Sequence, residues 1–160
     1  MDRTKVLEKV LLYDRILRFT IDLLSGIREE IRADIEEARI IGESILTREE
    51  TERLNRFLDR VSGEFMAKLD ETLDSIYDEY EIFNFDITFL SSIPEEIERD
   101  INRLHLIDSI NRNLEELRSH LLEMCDSEMD AKMKAVITPF KIYCKLIDHA
   151  IEFNKKFENF

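Results

Sequence analysis

The chain has 160 residues and a mass of 19.1 kDa, the size of one ordinary domain. Hydrophobic residues make up 44%, but only 3 Gly and 2 Pro occur, enough for a core and too few turn residues for a many-stranded sandwich or barrel. Lys and Arg number 23 against 36 Asp and Glu, a formal charge of -13; such a surface repels phosphate backbones and anionic bilayers, so neither nucleic acid nor membrane is an expected partner.

The first periodic run is Val6, Val10, Tyr13, Leu17, Ile21, Leu24, Ile27, Ile31, Ile35, Ala38, Ile41 and Ile45. Steps of three and four throughout define one helical face, predicting a helix over about residues 4–46. Ser25-Gly26 is its weak point, since glycine costs about 1 kcal/mol inside a helix. Residues 6–24 are apolar nearly all round, which predicts deep burial. Asp14, Arg15, Arg18 and Asp22 make that stretch too charged to span a bilayer. Met1-Asp2-Arg3 lacks the basic-then-apolar layout of a signal peptide, so a cytoplasmic protein is expected.

Thr47-Arg48-Glu49-Glu50 is a capping box, in which the Thr oxygen accepts from a first-turn amide and Glu50 reaches back. Leu54, Phe57, Leu58, Val61, Phe65, Leu69, Leu73, Ile76, Tyr80 and Phe83 form the face of the second predicted helix, to about residue 82. Its short link to the first makes the two antiparallel neighbours.

Phe83, Phe85, Ile87 and Phe89 then alternate with polar residues, which reads as an extended link over 83–92. Four large apolar side chains on a surface link are unusual. They are read either as a plug for the end of the helical core or as a protein–protein interface, with a homodimer as the simplest assembly. Ser92-Ile93-Pro94-Glu95 restarts a helix with a Ser cap and an early Pro. Its face is Ile97, Ile101, Leu104, Ile107, Ile110, Leu114, Leu117, Leu121 and Met124. A break at 126 gives third and fourth helices of matched length, with Pro139 kinking the fourth. The alternative boundary is Thr138-Pro139, leaving a short terminal helix. The expected fold is all-α, an up-down-up-down four-helix bundle of long helices in a single domain.

Signatures of catalysis are sparse. There is no Gly-x-Gly-x-x-Gly, phosphate loop, Cys-x-x-Cys, His-Glu-x-x-His or Glu-x-x-His. In a hairpin turning at 126, His105, Asp108, Cys144, Asp148 and His149 fall at similar heights, a set of zinc-compatible donors without helical ligand pairing. That hairpin also sets Cys125 and Cys144 more than about 20 Å apart, too far to bridge. Two free, buried thiols in a reducing compartment are expected.

Carboxylates four residues apart share a helix face and repel. The ladder Asp70, Asp74, Asp78 lies in the last third of its helix, where the dipole disfavours negative charge, and no base occurs between Asp70 and Glu81. Mg²⁺ or Ca²⁺ would relieve that repulsion; neighbouring Arg15, Arg18, Arg99 and Arg103 would do so by salt bridging. Acid-x-x-x-Asp pairs resemble the metal-binding pattern of PhoU-like phosphate-regulation proteins. That resemblance implies a carboxylate-based divalent-metal protein, regulatory or hydrolytic, as the alternative function. The Glu-Glu-x-x-Glu pattern of MazG-type nucleotide pyrophosphatases is not met, since Glu29-Glu30 and Glu36-Glu37 are followed by the wrong spacing. The primary expectation is a non-enzymatic interaction or scaffolding module without a cofactor.

Overall fold

A computed structural model describes residues 3–89, 99, 106–126 and 131–159. The protein is all-α, and no strand occurs among the described residues.

Helix α1 is Arg3–Ile45, 43 residues without a break, or about 65 Å at 1.5 Å per residue. Ser25-Gly26 does not interrupt it, because Ile21, Leu24, Ile27 and Ile31 are buried on both sides of the glycine, and their packing outweighs its propensity cost. The stretch 6–24 is not buried all round. Leu7, Leu11 and Phe19 are exposed, because the elements packed on α1 cover its inward stripe and leave its outer face open.

Leu46 and Thr47 turn the chain into α2, Arg48–Arg60. The Glu50 amide donates to Thr47 Oγ1 at 3.2 Å, and the Thr47 amide donates to Glu50 Oε1 at 2.9 Å. Two otherwise orphaned amides are satisfied reciprocally. Thr47→Ala is expected to cost about 1 kcal/mol, read as a lower urea midpoint with unchanged slope; an unchanged midpoint would show that the cap contributes nothing. Opposite it, a Cβ on Gly42 would stand 2.4 Å from Leu54 Cδ2, so α1 and α2 approach closely where α1 lacks a side chain.

A single π turn, Val61–Phe65, separates α2 from α3, Met66–Phe89. The sequence explains it. Val61, Phe65, Leu69 and Leu73 are all buried and lie at steps of four. Each such step overshoots an α-turn by about 40°. A π turn holds more residues per turn and cancels part of the drift.

α3 also continues through the segment expected to be extended. Phe83 and Ile87 prolong the series Leu69, Leu73, Ile76, Tyr80 at helical spacing, and neither Gly nor Pro occurs before Pro94. The alternation at 83–89 is therefore subordinate to a longer helical period. The restart at Ser92-Ile93-Pro94-Glu95 lies outside the described residues.

Leu106–Asp126 forms α4, Ala131–Val136 the short α5, and Thr138–Asn154 α6, which tightens into a 3-10 turn at Lys155–Asn159. Residues 127–130, where the break was expected, lie outside the described residues. Pro139 does not kink a continuous helix. Ile137 leaves helical geometry (φ -93°, ψ 8°), and Pro139 sits in the first turn of α6, where its missing N–H costs no hydrogen bond. Thr138 is not the cap; its hydroxyl donates to the Lys134 carbonyl at 3.1 Å.

The helix pairs joined by the following contacts run antiparallel. Between α1 and the α2–α3 run, Arg39 bonds Asn55 and Asp59, Arg28 lies near Asp70, and Tyr13 meets the ring of Phe83 edge-on at 4.8 Å. Lys68–Glu116 joins α3 to α4, and Glu64–His120 joins the π turn to α4. Asn111–Asn154 and Arg118–Asp148 join α4 to α6. Phe19–Phe153 and Asp34–Tyr143 join α1 to α6. Leu17, Leu24, Leu58, Phe65, Leu117 and Phe140 are wholly enclosed between these pairs.

Candidate functional site

The acidic ladder does not converge. Asp70 is half-buried, with Oδ1 3.6 Å from Arg28 Nη1, while Asp74 and Asp78 are exposed. Four-residue spacing puts three carboxylates on one face, but a ligand sphere also needs groups from a neighbouring helix, and α1 supplies an arginine there. This cation is not among the four expected near the ladder. Arg18 instead pairs with Asp14 on its own helix at 3.0 Å, and Arg103 lies outside the described residues. Among the described residues, no group of three His, Cys, Asp or Glu side chains is placed to hold a metal ion.

The proposed histidine–cysteine grouping is displaced by the hairpin register. Turning through α5, and not at residue 126, shifts α6 along α4 by about four turns. Asp148 then pairs with Arg118, His149 is exposed and Cys144 is buried. His105 lies outside the described residues.

The same shift overturns the expected separation of the cysteines. Cys125 on α4 and Cys144 on α6 are near enough for each thiol to act on the other's titration. Both are free and buried. Cys144 Sγ also lies 4.0 Å from the Arg118 carbonyl oxygen. The Cys125 thiol holds the Cys144 thiol below its ordinary range, against burial and the carboxylates of Asp148 and Asp126. The Cys144 thiol, then burial, pushes Cys125 up. Nothing in local spacing signals this pair, because it depends on the length of the α4–α6 connection.

The expected interface residues divide. Phe83 is a core residue, 6% exposed against Tyr13, and is removed from the surface by the helical continuation of α3. The side chains of Phe85, Ile87 and Phe89 lie outside the described residues. Exposed apolar side chains occur close by instead. Leu11 is 60% and Ile82 66% exposed, with Leu7 one turn from Leu11. The Tyr13–Phe83 contact sets Ile82 at the level of this part of α1.

Beside the π turn, α3 and α4 leave an open groove of about 430 Å³ lined by Glu64, Lys68, Glu71, Thr72, Asn113 and Glu116. Lys68 lies 3.8 Å from Glu116, and Glu64 3.5 Å from His120. These charges largely satisfy one another, leaving a shallow polar trough without a convergent acid–base pair. Deeper in the core, burial pushes the Tyr13 phenol well above its ordinary range, reinforced by the nearby Glu79 carboxylate. Glu79 is itself raised by burial, partly offset by Tyr13. Tyr13 Oη makes no hydrogen bond of normal geometry. Burial also raises Tyr143, whose hydroxyl donates to Asp34 on α1.

These features define an all-helical protein of antiparallel helix pairs. The chain is 51% identical over 158 residues to an uncharacterized protein of Aquifex aeolicus (strain VF5), an alignment spanning 98% of this chain and 95% of that one, and it belongs to that protein's family. No family model and no solved structure matches the sequence. Among the described residues no helix is long and apolar enough to cross a membrane.

Proposed function

We propose that the protein is an up-down-up-down four-helix bundle acting as a cytoplasmic, non-enzymatic interaction or scaffolding module that associates with a second copy of itself. The observation that carries this reading is the exposure of Leu7, Leu11 and Ile82 at one level of the molecule. Isolated apolar side chains on a surface need no explanation, whereas several at one level favour association. Phe85 and Phe89 lie in the last turns of α3, and the interface proposal extends to them. The antiparallel pairings of α1 with α2–α3, α3 with α4, α4 with α6 and α6 with α1 support the bundle. The two free thiols support a reducing compartment.

With a formal charge of -13 per chain, two copies repel over long range, and salt screens that repulsion. Self-association is therefore expected to strengthen with ionic strength. Sedimentation equilibrium should show a dimer for the wild type at high micromolar concentration and a monomer for Leu11→Glu, Ile82→Glu at unchanged helicity. A monomeric wild type at high salt would remove the self-association reading.

A further inference from the structure

We propose that the outer face of α5 and α6 is a docking surface for an acidic, amphipathic helix of a partner protein. The inference rests on the reading of the chain as an interaction module, though not on its association with itself. Charge is distributed unevenly along the chain. Residues 131–160 hold 6 of the 23 Lys and Arg but 3 of the 36 Asp and Glu, a formal charge of +3, which leaves -16 on residues 1–130. Between Asp130 and Asp148 the sequence has four lysines, Lys132, Lys134, Lys141 and Lys145, and no acid. Lys132, Lys134 and Lys145 are exposed, and Lys141 is half-buried. Among the described residues none of the four is in an ion pair, whereas Arg39, Lys68 and Arg118 each pair with a carboxylate of a neighbouring helix.

Apolar side chains lie among these charges. Ile142 and Leu146, one turn apart on α6, are 48% and 36% exposed, and they follow Lys141 and Lys145 in sequence. The register set by Arg118–Asp148 and Asn111–Asn154 brings Leu122 of α4, 39% exposed, to the level between Lys141 and Lys145. A cationic stripe on α6 is thus flanked by an apolar stripe on the same helix and by a leucine across the seam with α4. A helix with leucines at i, i+3 and i+4 covers such an apolar strip, and glutamates beside them meet the lysines. Size selects among polyanions. A nucleic acid or an anionic bilayer extends beyond this face and meets the -16 carried by residues 1–130, because salt screens charge only beyond about 8–10 Å. A single helix, about 10 Å across, covers the basic face alone.

The probe is a fluorescein-labelled synthetic helix of about 20 residues, with leucines at helical spacing and glutamates between them, followed by fluorescence anisotropy. The expected result is saturable binding to the full chain at micromolar concentration, weakening several-fold as salt rises from about 0.05 M to about 0.3 M. Lys141→Glu, Lys145→Glu should weaken binding about tenfold or more, and Lys145→Glu alone, at an exposed position, should weaken it several-fold. Ile142→Ser, Leu146→Ser should weaken it at low and high salt alike. Circular dichroism should show unchanged helicity and melting in each variant. Leu11→Glu, Ile82→Glu should bind the probe as the wild type does, so the docking face stands or falls separately from self-association. Absence of saturable binding would overturn the proposal, as would equal binding of a probe with glutamines in place of the glutamates or equal binding by the lysine variants. Displacement of the probe by phosphatidylserine vesicles or by oligothymidylate would overturn it in favour of a bilayer or a nucleic acid. Dissociation of a wild-type dimer by the lysine substitutions would overturn it in favour of a contact between copies.

Discussion

Replacing Phe140 with alanine is expected to destabilise the protein by about 4 kcal/mol, in the range found when a buried aromatic is truncated. Phe140 is 0% exposed. Its ring meets Phe57 of α2 edge-on at 5.5 Å and Tyr143 of its own helix at 6.2 Å. Because it lies in the first turn of α6, immediately after Pro139, its contacts fix where α6 starts as well as how it packs. Loss of the ring leaves a void between two helices already tied down elsewhere, so collapse recovers little of the lost dispersion. Urea denaturation should show a lower midpoint with the slope retained. Phe140→Leu should lose markedly less. A cost below about 2 kcal/mol for the alanine variant would mean that the site repacks freely.

The second large effect is expected at the buried amide pair. Asn154 is 0% and Asn111 8% exposed, and Asn154 Nδ2 donates to Asn111 Oδ1 at 2.8 Å. Asn154 Oδ1 has no protein partner. Asn111→Leu would strip the remaining hydrogen bond from a side chain that cannot reach water. The expected cost is about 3 kcal/mol, the penalty of an unsatisfied buried amide rather than the modest net worth of one hydrogen bond. Adding Asn154→Leu should restore most of the loss, since two apolar groups of similar size leave nothing unpaired. A double-mutant cycle measures the coupling directly. Additive losses would show that the amides act separately.

Patterns carried along a single helix were legible in the sequence. The inward stripe of α1 and the Thr47 cap each depend on residues within a few turns of one another. Patterns between helices were not. The Asp70 partner is Arg28, 42 residues away, and its choice depends on the register of α1 against α3. The cysteine pair depends on α5, which is too short to declare itself by periodicity. Phe83 was misplaced for a related reason: within an alternating run the members four apart, Phe83 and Ile87, also fit one helical face. Only the continuation from Ile76 and Tyr80 decides between them. The exposed outer face of α1 was missed because composition alone does not tell how many neighbours a helix will have.

The π turn at Val61–Phe65 has a consequence for how this chain tolerates changes in length. A π turn is an α-turn holding one surplus residue, and here that surplus falls beside Ser62 and Gly63, both exposed. Removing one residue at this point would return the backbone to a regular α-helix while leaving Leu54, Phe57 and Leu58 on one side, and Leu69, Leu73 and Ile76 on the other, turned toward the same interior. Removing one elsewhere in α2 or α3 would rotate everything beyond it by about 100° and carry a buried stripe into solvent. Along this helix, deletions are therefore not interchangeable: the tolerant place is a joint of five residues, and the rods on either side have fixed lengths.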